Sequence, residues 1–184
     1  VGDEIIVQVT KDEINTKGAR ITSYISMPGR FLVLMPHSSR GGGVSRRIDD
    51  PDERKRLRTL LKEIQSSDGS LIIRTAGTEQ GEDEIRKDAK SLHERWDSIQ
   101  KRSSRCRAPA NLYEDKDLLG RVVRDNFGPN MNEILVDDLD SMRQLIESCR
   151  DMVPELCDRI HFYDSAINIF DTFEVEKQFQ KAVK

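Results

Sequence analysis

A change of hydrophobic period divides this chain and limits what it can fold into. Up to Pro36 the apolar residues come in short β-branched runs: residues 4–10 (EIIVQVT), 19–26 (ARITSYIS) and 31–36 (FLVLMP). The turn-like stretch 11–18 and the Pro28-Gly29 pair separate them, so this part reads as strands. From Asp50 onward the apolar residues instead recur every three or four positions. Asp50 is placed to cap a helix, Pro51 suits its first turn, Glu53 completes a capping box, and Leu57, Leu60, Leu61 and Ile64 form one stripe. A short strand is predicted at 71–74. A second helix over 82–102 would bury Ile85, Ala89, Leu92, Trp96 and Ile99.

The pattern breaks at 103–109, which reads as a linker or a strand entry. Past the break, helix 117–127, strand 133–136 (EILV), helix 138–150, strand 159–163 and helix 173–183 follow one another. Alternating strands and helices predict an α/β layer with partly parallel pairing. The fold class expected for the whole is therefore mixed, α+β followed by α/β.

Composition narrows the function classes. Of 184 residues, 30 are Lys or Arg and 33 Asp or Glu, a net charge of -3, so the chain as a whole is no basic nucleic-acid coat. The longest apolar run, 31–36, is far short of the roughly 20 residues a membrane-spanning helix requires. Cys106, Cys149 and Cys157 form no CxxC pair, which predicts a reducing, cytoplasmic setting and no zinc ribbon. His37, His93 and His161 are widely spaced and suit packing or surface roles. The chain starts at Val1 with no signal-like stretch after it, and its last helix runs to Lys184 without a stop signal; a segment of a longer protein is expected.

Four constellations could carry chemistry. The loop Arg40-Gly41-Gly42-Gly43-Val44-Ser45-Arg46-Arg47 combines glycines, which let backbone N–H groups turn toward an anion, with guanidinium groups that grip phosphate oxygens in pairs. It also suits a flexible hairpin loop with solvated arginines. Arg74-Thr75-Ala76-Gly77 ends the short strand and offers a guanidinium, a hydroxyl and a glycine turn. If the two segments converge, Arg46 and Arg74 supply the charge for a dianionic phosphate monoester. Asp137, Asp138 and Asp140 follow one strand and Asp164 another, as in two-metal nucleases, but Asp138 or Asp140 capping the next helix accounts for them more simply. Lys101, Arg102, Arg105 and Arg107 form a basic patch that suits either an RNA backbone or a helix C-terminus.

Taken together and in order, residues 4–10 (EIIVQVT), Thr16-Lys17-Gly18, 31–36 (FLVLMP), 45–48 (SRRI), 73–77 (IRTAG), Trp96, 107–109 (RAP) and 133–137 (EILVD) resemble the ribonuclease E/G family. The match is collinear and covers essentially the whole chain. The resemblance implies three pieces: residues 1–23 as the closing strands of an S1-type OB-fold RNA-binding domain, 24–119 as the 5′-sensor domain, and 120–184 as part of an RNase H-like domain that is structural and not catalytic. It implies a Mg2+-dependent, homo-oligomeric, cytoplasmic endoribonuclease of RNA processing and mRNA decay, whose magnesium ligands lie outside this segment and whose partner here is single-stranded RNA with a 5′-monophosphate.

Carried over residue by residue, Arg74 and Thr75 would bond the phosphate oxygens and Arg46 would add a charge-assisted contact. Gly29 would permit close approach, Val33 would touch the end nucleotide, and Lys17 would touch RNA from the OB-fold side. Contacts by Arg40 or Gly41 are not carried over, since that loop departs from the family's pattern. Two alternatives stand beside this one: a stand-alone RNA-binding module without catalysis, and a metal nuclease using Asp137, Asp138 and Asp140.

Overall fold

A computed structural model describes residues 2–38, 42–66, 69–115, 118–128 and 130–183. Arg40, Gly41 and the expected helix start at Asp117 lie outside these residues. The chain forms two compact units, Val1–Glu114 and Asp115–Lys184.

In the first unit, β1 (Gln8–Lys11) and β2 (Arg20–Thr22) pair antiparallel, with the register shifting between Val9 and Lys11. Both strands are shorter than the β-branched runs that predict them. Ile5, Val9, Ile21 and Tyr24 are exposed, and two strands alone bury too little apolar area to hold a longer ladder.

A four-stranded sheet follows, in the order β3 (Met27–Pro28), β4 (Leu32–Pro36), β6 (Gly69–Ile73), β5 (Gly43–Val44). β4 pairs antiparallel with both β3 and β6, and β5 lies parallel to β6. Along β4 burial alternates, with Leu32 and Leu34 fully buried opposite Ile73 and Leu71. This is the period of two that a half-buried strand requires. Against that apolar side stand α1 (Pro51–Ile64) through Leu57, Leu60 and Leu61, and α2 (Glu82–Ser103) through Ile85, Ala89, Leu92, Trp96 and Ile99. Both helices fall where the apolar period places them. Acidic Glu82, Asp83 and Glu84 open α2 and basic Lys101 and Arg102 close it, complementing the helix dipole.

Three local readings of the sequence need correction. The loop expected over 40–47 is not all loop, because β5 lies within it. A Cβ on Gly42 would sit 2.3 Å from the Leu71 carbonyl oxygen, so the glycine is there for close approach of two backbones. The capping box at α1 is half made: the Asp50 carboxylate accepts from the Asp52 and Glu53 N–H groups, but the Glu53 carboxylate turns instead to Arg56 and the Glu79 N–H. Beyond α2, residues 104–110 form no strand; turns held by Arg105 and Cys106 N–H groups on the Arg102 carbonyl end the helix.

The second unit contains α3 (Leu118–Asn126), β7 (Ile134–Val136), α4 (Leu139–Met152), β8 (Ile160–Phe162), α5 (Ile169–Thr172) and α6 (Val175–Val183). β7 and β8 are parallel, as the alternation of elements predicts, and α4 is the crossover between them. Val123, Phe127, Leu145, Cys149, Val153, Leu156 and Ile160 make its core. β7 reads as a buried strand in the sequence but is half-buried; among the described residues its sheet has two strands, β7 and β8. The closing helix predicted over 173–183 is α6, and a short helix that the sequence did not announce, α5, precedes it with Asn168 as its cap. Among the described residues no helix is long and apolar enough to cross a membrane.

Candidate functional site

The site is built where β5 and β6 end side by side. The Ser45 N–H donates to the Ile73 carbonyl at 2.8 Å, extending the parallel pairing by one residue. This brings the Ser45 hydroxyl to 3.2 Å from the Thr75 hydroxyl. Arg46 and Arg47 then occupy a tight turn closed by the Ile48 N–H on the Ser45 carbonyl, and both are exposed. Arg54, in the first turn of α1, fixes that turn from below: its Nη1 donates to the Ser45 carbonyl at 2.7 Å and the Ile48 carbonyl at 2.9 Å. A guanidinium placed on two carbonyls of one turn holds the turn's shape.

The other wall comes from the start of β4. Arg74, half-buried, donates its backbone N–H to the Phe31 carbonyl at 2.8 Å, and its Nη1 donates to the Gly29 carbonyl at 2.7 Å and the Arg30 carbonyl at 3.5 Å. The Gly29 N–H closes on the Leu32 carbonyl at 2.8 Å. Asp88 of α2 lies against the same turn, accepting from the N–H groups of Arg30, Phe31 and Leu32 at 3.2, 2.8 and 2.9 Å. Gly29 is needed here, since a Cβ would stand 2.5 Å from one Asp88 carboxylate oxygen and 2.6 Å from the other. The Arg30 guanidinium lies 4.8 Å over the Phe31 ring.

Four of the six residues singled out in the sequence share this neighbourhood: Arg74 touches Gly29, Thr75 meets Ser45, and Arg46 follows Ser45. Val33 is half-buried in the cross-strand row Pro28, Val33, Ile72, Gly43, on the β4 positions that alternate with the core residues. Lys17 stands apart in the hairpin between β1 and β2, its backbone bridged to Ile14, in a different sheet. Sequence reasoning missed Ser45 as a hydroxyl partner, Arg54 and Asp88. Asp88 had one available signal: a carboxylate beside the buried Ile85, Ala89 and Leu92 stripe must find donors.

Glu53 stiffens the far end of the same segment. Its carboxylate pairs with the Arg56 guanidinium at 2.7 Å and takes the Glu79 N–H at 3.0 Å, while Arg56 Nη2 donates to the Gln80 carbonyl at 3.1 Å. The Arg56 guanidinium holds the Glu53 carboxyl below the usual range, against the opposing effect of burial. A depressed carboxyl contributes stability that is complete above its unfolded value and is lost as pH falls through its lower folded value. Protection of the Glu79 amide against hydrogen exchange, measured relative to the intrinsic exchange rate at each pH, should therefore fall on acidification below the ordinary glutamate range. Glu53→Gln should remove that pH dependence.

Two members of the acidic cluster have structural roles. Asp138 caps α4 by accepting from the Ser141 N–H at 2.7 Å, and that bond holds its carboxyl below the usual range. Asp140 pairs with Arg143 at 3.0 Å, and Asp137 and Asp164 are exposed. Among the described residues no three His, Cys, Asp or Glu side chains gather to hold a metal ion. Cys149 is buried and its thiol reaches the Val153 carbonyl at 3.3 Å. The basic patch Lys101, Arg102, Arg105 and Arg107 is exposed around the end of α2.

Comparison with known proteins bears on this geometry. The model of the Ribonuclease E/G family matches residues 26–184. The chain is 37% identical over 183 residues to Ribonuclease G of Escherichia coli strain K12, an alignment covering 100% of this chain and 37% of that protein. It is 35% identical over 182 residues to Ribonuclease E of Haemophilus influenzae, covering 98% of this chain and 19% of that protein. Against Ribonuclease E of Escherichia coli strain K12 it is 34% identical over 185 residues, 98% of this chain and 17% of that protein. The chain thus spans well under half the length of these relatives.

Proposed function

The chain belongs to the ribonuclease E/G family, and from that premise we propose that it binds single-stranded RNA and senses a 5′-terminal monophosphate for an endoribonuclease of RNA processing and decay. One observation carries the reading. Arg74 and Thr75 sit at a strand end, with the Thr75 hydroxyl 3.2 Å from that of Ser45 and the turn bearing Arg46 next in sequence. A guanidinium, two hydroxyls and a second arginine form a donor set suited to a phosphate monoester. A guanidinium already anchored on the Gly29 carbonyl presents its charge in a fixed plane.

In this reading residues 1–23 close an OB-fold from which Lys17 reaches the RNA, residues 24–119 are the 5′-sensor, and residues 120–184 are part of an RNase H-like structural domain. Val33 supports the terminal nucleotide. A triphosphate brings bulk and charge that the Arg74, Thr75 and Arg46 group need not accept, so selectivity comes from shape as much as from charge. Of the aspartates that follow β7, Asp138 caps a helix and Asp140 pairs with Arg143, which favours structural roles for these two. The magnesium-dependent cleavage, the homo-oligomeric assembly and the cytoplasmic setting are assigned to the whole protein, with the metal ligands outside this chain.

The test is a binding comparison by fluorescence anisotropy, using one oligoribonucleotide sequence with a 5′-monophosphate or a 5′-hydroxyl. The monophosphate should bind more tightly. Arg74→Ala should weaken it roughly tenfold to a hundredfold, the scale of one or two charged hydrogen bonds, and leave the 5′-hydroxyl RNA unchanged. Equal affinities for the two RNAs in the unaltered chain would sink the reading.

A further inference from the structure

Asp88 and Arg74 grip opposite sides of the same two peptide groups. The peptide joining Gly29 to Arg30 gives its N–H to Asp88 Oδ1 at 3.2 Å and accepts on its carbonyl from Arg74 Nη1 at 2.7 Å. The next peptide gives its N–H to Asp88 Oδ2 at 2.8 Å and accepts from the same Arg74 nitrogen at 3.5 Å. In a trans peptide the N–H and the carbonyl point in opposite directions, so the carboxylate and the guanidinium lie on opposite sides of the chain. Each charge polarises the peptides toward the other, and hydrogen bonds in such a chain strengthen one another. The pair is an ion pair mediated by backbone.

From this geometry we infer that Asp88 is a positioning residue of the terminal-phosphate site, setting the orientation of Arg74 through the Gly29–Leu32 turn without touching RNA itself. The inference rests on the phosphate-binding reading of Arg74. Three features support it. The Asp88 carboxylate has three N–H donors in sequence, those of Arg30, Phe31 and Leu32, which fixes the turn as a unit. Gly29 brings the backbone so close to that carboxylate that no side chain fits between them. Arg74 binds the turn through Nη1, and bidentate recognition of a phosphate depends on the plane in which the guanidinium is held.

Asp88→Asn keeps the shape of the side chain but removes the charge and turns an N–H₂ group toward backbone donors. Binding of 5′-monophosphorylated RNA should fall roughly tenfold, with 5′-hydroxyl RNA unaffected. In an Arg74→Ala background, Asp88→Asn should cause no further loss, because the residue it positions is gone. Partial unfolding lowers the bound fraction of both RNAs together, so the ratio between them reads positioning alone. An unchanged ratio in Asp88→Asn, while Arg74→Ala abolishes it, overturns the inference and leaves the phosphate site standing. Losses that add in the double variant also overturn it. If Arg74→Ala itself preserves the ratio, the phosphate reading falls and the inference with it.

Discussion

Trp96→Ala should lower the unfolding free energy of the first unit by about 3–5 kcal/mol, the usual cost of removing a buried indole. Trp96 is 2% exposed and joins the core that α2 makes with β4, β6 and α1. Its ring also meets His37 edge-on, with centroids 5.4 Å apart. The indole Nε1, however, has no hydrogen-bond partner among the described residues. Trp96→Phe retains most of the apolar contact and removes a buried donor, so it should fall within about 1 kcal/mol of the unaltered chain. Urea unfolding of the two variants checks both statements. A Phe variant as damaged as the Ala variant would mean that the indole nitrogen, not the ring's bulk, holds the core.

Gly42→Val should cost up to about 3 kcal/mol and also erase 5′-phosphate discrimination, whereas Gly43→Ala, one residue on, should stay within about 0.5 kcal/mol. The contrast follows from what each added Cβ meets. At Gly42 it would stand 2.3 Å from the Leu71 carbonyl oxygen and 3.0 Å from Gln65 Oε1, while at Gly43 nothing lies within 4 Å. Leu71 is held in the register of β4 and β6, so the oxygen cannot yield without opening the sheet. β5 must leave instead, and with it go the Ser45 N–H on Ile73 and the approach of Ser45 to Thr75. Urea unfolding and RNA binding measured on the same two variants separate the outcomes. Loss of discrimination in Gly43→Ala as well would show that the loop acts through flexibility and not through the β5 pairing.

The sequence was most readable where one periodicity runs unbroken. The α2 stripe from Ile85 to Ile99 places that helix almost to the residue, and the Asp50-Pro51 pair marks the start of α1. β5 left no such trace, since a strand of two residues has no alternation to read; the glycines around it suit an anion cradle or a flexible loop by residue type, and at Gly42 the missing Cβ also makes room for the Leu71 carbonyl. The Asp50-x-x-Glu53 pattern predicts a reciprocal cap, but Arg56, three residues further on, competes for Glu53 and wins. The site was legible in halves. Arg74, Thr75 and Arg46 stood out by residue chemistry, while their convergence depended on a parallel pairing that no local pattern encodes. Asp88 gave one signal, its place beside the apolar stripe of α2, but not its partners, because the three backbone donors lie 56 to 58 residues away.

Those separations also govern when the site comes into being. Ser45 meets Thr75 across 30 residues, Arg74 meets Gly29 across 45, and Asp88 reaches Leu32 across 56. Contacts of such range form late, after the chain between them has been drawn in. A growing chain that has released β6 but not yet α2 would carry Arg74 and Thr75 with the opposite turn unclamped. Under the proposed function, phosphate recognition would then arise in a single step with the docking of α2, which makes grip on a 5′ end a readout of completed folding of the first unit.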